Sequence, residues 1–142
     1  NISKIARVLL LFSGVALTIK LLLQIGSTHP HLSQIAFGFR PIVIGYLHLV
    51  LLGMITLFIL AYSISKNIIT ITKVVNAGLT IFVSGVIINE VVLMIQGVKA
   101  MQNDSLNFVH YYLFGIAIVM FTGITTVVIS QFSSSRNLDQ KY

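Results

Sequence analysis

The stretch IVIGYLHLVLLGMITLFILA, residues 42–61, contains no Lys, Arg, Asp or Glu. A helix needs about 20 mostly apolar residues to cross the hydrocarbon core of a bilayer, so this stretch by itself predicts a membrane span. Because lipid offers the backbone no hydrogen-bond partners, such a span must be helical.

Three further stretches have the same character, at residues 5–25, 74–98 and 108–129. The whole chain of 142 residues is 56% hydrophobic and 8% charged, and its mean hydropathy is +0.98. Soluble domains carry about 25% charged residues, so a water-soluble fold is excluded. Four spans with short links predict an all-α, integral membrane, up-down four-helix bundle that forms a single domain over residues 1–142.

The links and ends add detail to this prediction. Residues 26–41 contain Pro30, and proline suits the first turn of a helix, so we expect a short interfacial helix from about Pro30 to Phe37. Its apolar side chains should face lipid. The chain begins with Asn1 and not with Met, and we expect it to be the C-terminal portion of a longer multi-pass protein.

The charges favour one orientation. The side that carries both termini has six basic residues, and the other side has three. This asymmetry places both termini in the cytoplasm and suits a bacterial inner membrane. The net charge of +6 is spread over both sides, which fits lipid headgroups better than nucleic acid. The basic residues counted are Lys4, Arg7, Lys66, Lys73, Arg136 and Lys141 on the first side, and Lys20, Arg40 and Lys99 on the second.

Three ionisable side chains within the spans fall at one depth. At a rise of about 1.5 Å per residue, Lys20, His48 and Glu90 each lie roughly 8–12 Å below the outer surface. A lone charge at that depth is costly, so these residues should face the bundle interior and meet as a buried polar layer. Lys20 with Glu90 is the expected ion pair, and His48 is the third member.

Two spans show additional faces. In the third span, Gly78, Gly85, Asn89 and Gln96 lie on a second polar face, which we predict to meet another subunit or further helices of the same protein. In the fourth span, small and polar residues follow one stripe, as at membrane helix contacts. That stripe consists of Tyr111, Gly115, Ile118, Thr122 and Thr125.

Four interpretations of the polar residues remain open. They are interhelical contacts alone, haem b held by His48 and His110, a metal at His29 and His31, and proton or ion handling by Glu90 beside His48. The offset of His110 from His48 along the helices favours an interfacial histidine over a haem ligand. The absence of carboxylates near His29 and His31 favours solvated loop histidines over a metal site. We therefore predict no cofactor, with His48 and His110 as the weaker candidates for haem or copper. The lack of cysteine excludes iron–sulfur clusters and covalently attached haem.

A resemblance extends these expectations. Residues 37–62, FGFRPIVIGYLHLVLLGMITLFILAY, resemble part of an uncharacterised family of bacterial multi-pass membrane proteins through Arg40, Pro41, Tyr46, His48, Leu49 and Gly53. That family is distantly similar to the haem–copper oxidase core subunit and to NnrS-type haem-and-copper proteins. The resemblance implies that His48 is the residue that could ligate haem or copper. The other ligand histidines of an oxidase core are absent, so it does not imply independent redox catalysis.

Taken together, the sequence favours a non-catalytic subunit or C-terminal portion of a larger membrane complex, for which a respiratory complex is one candidate. Its expected partners are the bilayer and other membrane helices. The alternatives are a redox protein that binds haem or copper through His48 and a proton- or ion-coupled transporter component that uses Glu90. No motif for a hydrolase or a nucleotide-binding enzyme is present.

Overall fold

Four long helices make up the protein. The computed structural model describes residues 3–30, 33–34, 38–102 and 108–139, and within these ranges it contains helices and no strand. Each helix is long and apolar enough to cross a membrane, which confirms the predicted all-α four-helix membrane bundle. The helices are α1 (Lys4–Gly26), α2 (Arg40–Ser65), α3 (Lys73–Met101) and α4 (Val109–Asp139).

The helix starts follow ordinary capping chemistry. The Ser3 hydroxyl accepts a hydrogen bond from the Ala6 amide at 3.2 Å, and the Thr72 hydroxyl accepts one from the Val75 amide at 3.2 Å. These bonds satisfy amides that have no partner within the helix. Pro41 occupies the first turn of α2, where its missing N–H costs nothing.

The predicted interfacial helix lies partly outside the described residues, since residues 31–32 and 35–37 are not among them. Within the described part, the Ser33 amide donates to the His29 carbonyl at 3.0 Å, which is a helical hydrogen bond. His31 and residues 35–37, a stretch whose apolar side chains are expected to face lipid, fall outside the described ranges.

The middle of α2 departs from α-helical geometry. Leu49–Thr56 form a π-helix of 8 residues, flanked by α-helical residues on both sides. The Thr56 hydroxyl donates to the Leu51 carbonyl at 2.7 Å, five residues earlier. π-Helical segments are rare in proteins, and those that occur are often found at functional sites. This one begins immediately after His48.

Close contacts between α1 and α2 occur beside this π-helix. The Ser13 hydroxyl donates to the Met54 carbonyl at 2.9 Å. A Cβ atom on Gly53 would lie 3.3 Å from the Ala16 Cβ, so the two backbones approach closely here. Residue numbers rise along α1 while they fall along α2, and the two helices are therefore antiparallel.

The contact between α3 and α4 is the most intimate in the fold. A Cβ atom on Gly78 would lie 2.9 Å from the Gly123 carbonyl oxygen, and one on Gly85 would lie 2.5 Å from the Met120 Cγ. Glycine permits this approach because it has no side chain, as is common between membrane helices.

The apolar core occupies the half of the bundle nearer the N-terminus. The link between α2 and α3 closes this end, because the Gln131 side chain accepts a hydrogen bond from the Thr70 amide at 3.0 Å and donates one to the Thr70 carbonyl at 3.0 Å. The opposite half holds Lys20, His48 and Glu90. The buried core cluster contains Ala6, Leu9, Leu57, Leu60, Ala61, Ile64, Val75, Leu79, Phe82, Val86 and Val127.

Candidate functional site

His48 and Glu90 are brought to the same level by the packing of α2 against α3. A Cβ atom on Gly45 would lie 3.6 Å from the Leu93 Cβ, and one on Gly97 would lie 3.3 Å from an Ile42 side-chain carbon. Continuing this antiparallel register by one helical turn places His48 opposite Glu90. The facing pair is therefore a feature of the helix register.

Lys20 reaches the same level from α1 but bonds elsewhere. The register set by Ala16 and Gly53 places Lys20 one helical turn further along α1, beside the start of the π-helix. The Lys20 Nζ donates to the Gln24 Oε1 at 2.7 Å. The expected ion pair between Lys20 and Glu90 is thus replaced by a hydrogen bond within α1, because the two residues share one helix face four positions apart.

The His48 ring has a defined orientation. Its Nδ1 lies 2.9 Å from the Ile44 carbonyl oxygen, and a carbonyl oxygen can only accept, so the neutral ring carries its proton on Nδ1. The Nε2 atom is then a free acceptor. This arrangement, with one ring nitrogen fixed by the backbone and the other available, suits both proton exchange and metal ligation.

Two buried polar atoms on neighbouring residues of α3 have no hydrogen-bond partner. They are the Glu90 Oε1 and the Asn89 Nδ2, and Asn89 as a whole is only 7% exposed. An unpartnered polar atom in an apolar environment costs about 1–3 kcal/mol. The second predicted polar face of α3 therefore adjoins Glu90, and together the two residues form an under-satisfied polar cluster in the membrane.

The other residues of that face are occupied within the chain. Gly78 and Gly85 are buried against α4 through Gly123 and Met120, so they are not open to another subunit. The missing side chains of the two glycines serve the α3–α4 contact. Gln96 is half-buried.

The stripe predicted along α4 does not face α3. Gly123 supplies that contact, whereas a Cβ atom on Gly115 would have no neighbour within 4 Å. Tyr111 and Thr122 are exposed. Gly123 lies one residue, or about 100°, around the helix from Thr122, so α3 packs on a neighbouring face of α4.

Haem or copper would find one ligand here. His48 offers its Nε2 atom, but α4 packs mainly against α3 and His110 at its start is exposed. Within the described ranges, no three His, Cys, Asp or Glu side chains gather closely enough to hold a metal ion.

Two features of the site had no counterpart in the sequence analysis. The π-helix has no compositional signal, because its residues are as apolar as their neighbours. The hydrogen bond from Ser13 to Met54 joins a side-chain hydroxyl to a backbone carbonyl. The sequence identifies the hydroxyl but not the carbonyl that accepts from it. A serine within an apolar run is therefore the one sequence signal for this contact.

The apolar surface and the four spans define an integral membrane protein. None of the family models, curated proteins or solved structures compared with the chain matches it.

Proposed function

We propose that this chain is a non-catalytic, membrane-embedded subunit or C-terminal portion of a larger complex, whose additional helices pack on the outer face of α4. The open position of Gly115 carries this proposal. Its missing side chain leaves space that no described atom fills, and Thr122 lies two turns further along the same face. Small and polar residues are enriched where membrane helices meet.

The resemblance of residues 37–62 supports a respiratory assembly in a bacterial inner membrane. The excess of basic residues on the side of both termini supports their cytoplasmic location. In this arrangement the polar layer fixes the depth and rotation of α2 and α3, while α4 presents its free face to the partner.

Cysteine crosslinking tests this proposal directly, since the chain has no native cysteine. Gly115→Cys and Thr122→Cys should crosslink to another membrane helix in native membranes. Phe121→Cys is the matched control, because Phe121 is exposed on a neighbouring face of α4. Equal crosslinking at all three positions, or crosslinking at Phe121 alone, would argue against the proposed interface.

Proton or ion handling is a second candidate, and the unpartnered Glu90 Oε1 favours it. A carboxyl group in a span, close to an imidazole with a free nitrogen, can take up and release a proton when water reaches it. Proton flux in vesicles that contain the reconstituted protein should then be abolished by Glu90→Gln. Flux that persists in this variant would exclude the carboxyl as the carrier.

The redox alternative depends on His48. At such a haem or copper site His48 would be one ligand, and a partner subunit would supply another. The optical spectrum of the complex purified from native membranes checks this alternative: a Soret band that is lost in His48→Ala would support it, and its persistence in that variant would remove His48 from the ligand set.

A further inference from the structure

An open groove separates α1 from α3 in the half of the bundle nearer the N-terminus. It has a volume of about 400 Å³ and is lined by five residues of α1 and six of α3. Lys4 and Asn76 lie at one end, at the membrane surface, and Phe12 and Ile87 lie at the other. At the helical rise, the groove extends about 12–16 Å into the membrane.

The two ends of the groove differ in chemistry. The lining between them is mostly aliphatic, and the Thr80 and Ser84 hydroxyls within it donate to backbone carbonyls of α3. At the surface end, the Lys4 ammonium and the Asn76 side-chain amide make no hydrogen bond or ion pair with any described residue. The groove therefore combines an apolar channel with free donors at its mouth.

Charge at this surface favours an anion. Arg7, Lys66 and Lys73 lie near the same membrane boundary as Lys4. Asp139, the acidic residue on this side within the described ranges, lies seven residues beyond the end of the α4 span at Phe132. Basic pockets between membrane helices bind anionic lipid headgroups.

The chemistry of the groove favours a lipid as its occupant. The apolar lining suits an acyl chain, which has no backbone groups to satisfy, and the donors at the mouth suit an anionic headgroup. We propose that this groove binds one acyl chain of an anionic glycerophospholipid, with the phosphate at Lys4 and Asn76.

Native mass spectrometry of the full chain tests the proposal, with phosphatidylglycerol and phosphatidylcholine of identical acyl chains as probes. The wild type should retain phosphatidylglycerol preferentially. Lys4→Gln should reduce this preference about fivefold, the factor expected for one lysine near an anionic surface. Lys66→Gln is the control, because it removes the same charge on the same side but lies outside the groove.

A second pair of variants tests the apolar part. Val8→Trp should fill the groove and reduce adducts of both lipids, whereas Val15→Trp should not, because Val15 is similarly exposed on α1 but does not line the groove. Glycerol phosphate, which has the charge without the acyl chain, should not displace bound lipid.

Several outcomes would overturn the proposal. They are equal retention of the two lipids by the wild type, equal effects of Lys4→Gln and Lys66→Gln, or displacement of the lipid by glycerol phosphate. A dimer that Val8→Trp dissociates while the lipid adducts remain would instead identify a second copy of the chain as the occupant.

Discussion

The carbonyl oxygen of Gly123 lies 2.9 Å from the position that a Cβ atom on Gly78 would occupy, and the Gly78 carbonyl oxygen lies 3.0 Å from the Cβ position of Gly123. Each glycine thus makes room for the backbone of the other. A second glycine of α3, Gly85, extends this contact against Met120. The α3–α4 pair is consequently held together by backbone approach and dispersion contacts.

Alanine at position 123 should destabilise the protein. Its Cβ atom would lie 2.8 Å from the Phe82 amide nitrogen and 3.2 Å from the Phe82 Cα, and backbone atoms cannot rotate away as side chains do. We expect Gly123→Ala to lower the free energy of unfolding by about 1–3 kcal/mol, the usual range for overpacking. Thermal unfolding in detergent provides the measurement.

Gly115→Ala is the matched control in the same helix. Its new methyl group meets nothing within 4 Å, and alanine favours a helix over glycine by about 1 kcal/mol. This variant should therefore be as stable as the wild type or more so. Equal losses at positions 115 and 123 would mean that α4 packs with a different rotation from that described.

The contrast between these two glycines shows what the sequence could predict. The spans follow from length and hydropathy, since lipid imposes a helix on any long apolar run. The rotation of α4 does not follow, because Gly115 and Gly123 are equally suited to a close helix contact. Only the shape of the facing helix, with Gly78 opposite Gly123, selects between them.

For the polar layer, depth along each helix can be counted from the sequence, and the packing of α2 against α3 places His48 opposite Glu90. The partner of Lys20 could not be obtained in this way, because Gln24 on its own helix competes with Glu90 across the bundle. Likewise, the π-helix lies beside the contact of Met54 with Ser13 and has no periodic signal of its own.

The Gln131 side chain should order the link between α2 and α3. It pairs with both backbone groups of Thr70, and each such hydrogen bond contributes about 0.5–1.5 kcal/mol. Gln131→Leu should therefore accelerate hydrogen exchange of the Thr70 amide without changing exchange in the middle of α1. In Thr125→Val, which removes a hydroxyl bonded within α4, exchange at Thr70 should stay at the wild-type rate.

The Ser13 hydroxyl should stabilise the π-helix. Its hydrogen bond to Met54 joins two helices, and such bonds in membrane proteins average about 0.6 kcal/mol. Ser13→Ala should lower stability by about that amount. Thr18→Val should have a smaller effect, because the Thr18 hydroxyl bonds to Gly14 within α1. Equal effects of the two substitutions would show that the bond to Met54 contributes nothing beyond local helix contacts.

The geometry of the polar layer predicts that Glu90 is coupled to His48 and not to Lys20. The helix register places the imidazole opposite the carboxyl, whereas the Lys20 ammonium is bound by Gln24. Double-mutant cycles that combine Glu90→Gln with His48→Gln, and separately with Lys20→Gln, measure these couplings as non-additive changes in unfolding free energy. Contacting pairs give about 0.5–3 kcal/mol, and independent sites add within about 0.3–0.5 kcal/mol. We expect the first cycle to fall in the contacting range and the second in the additive range. The reverse result would mean that Lys20 leaves Gln24 to neutralise Glu90 in the membrane, and the layer would then be held by an ion pair between α1 and α3.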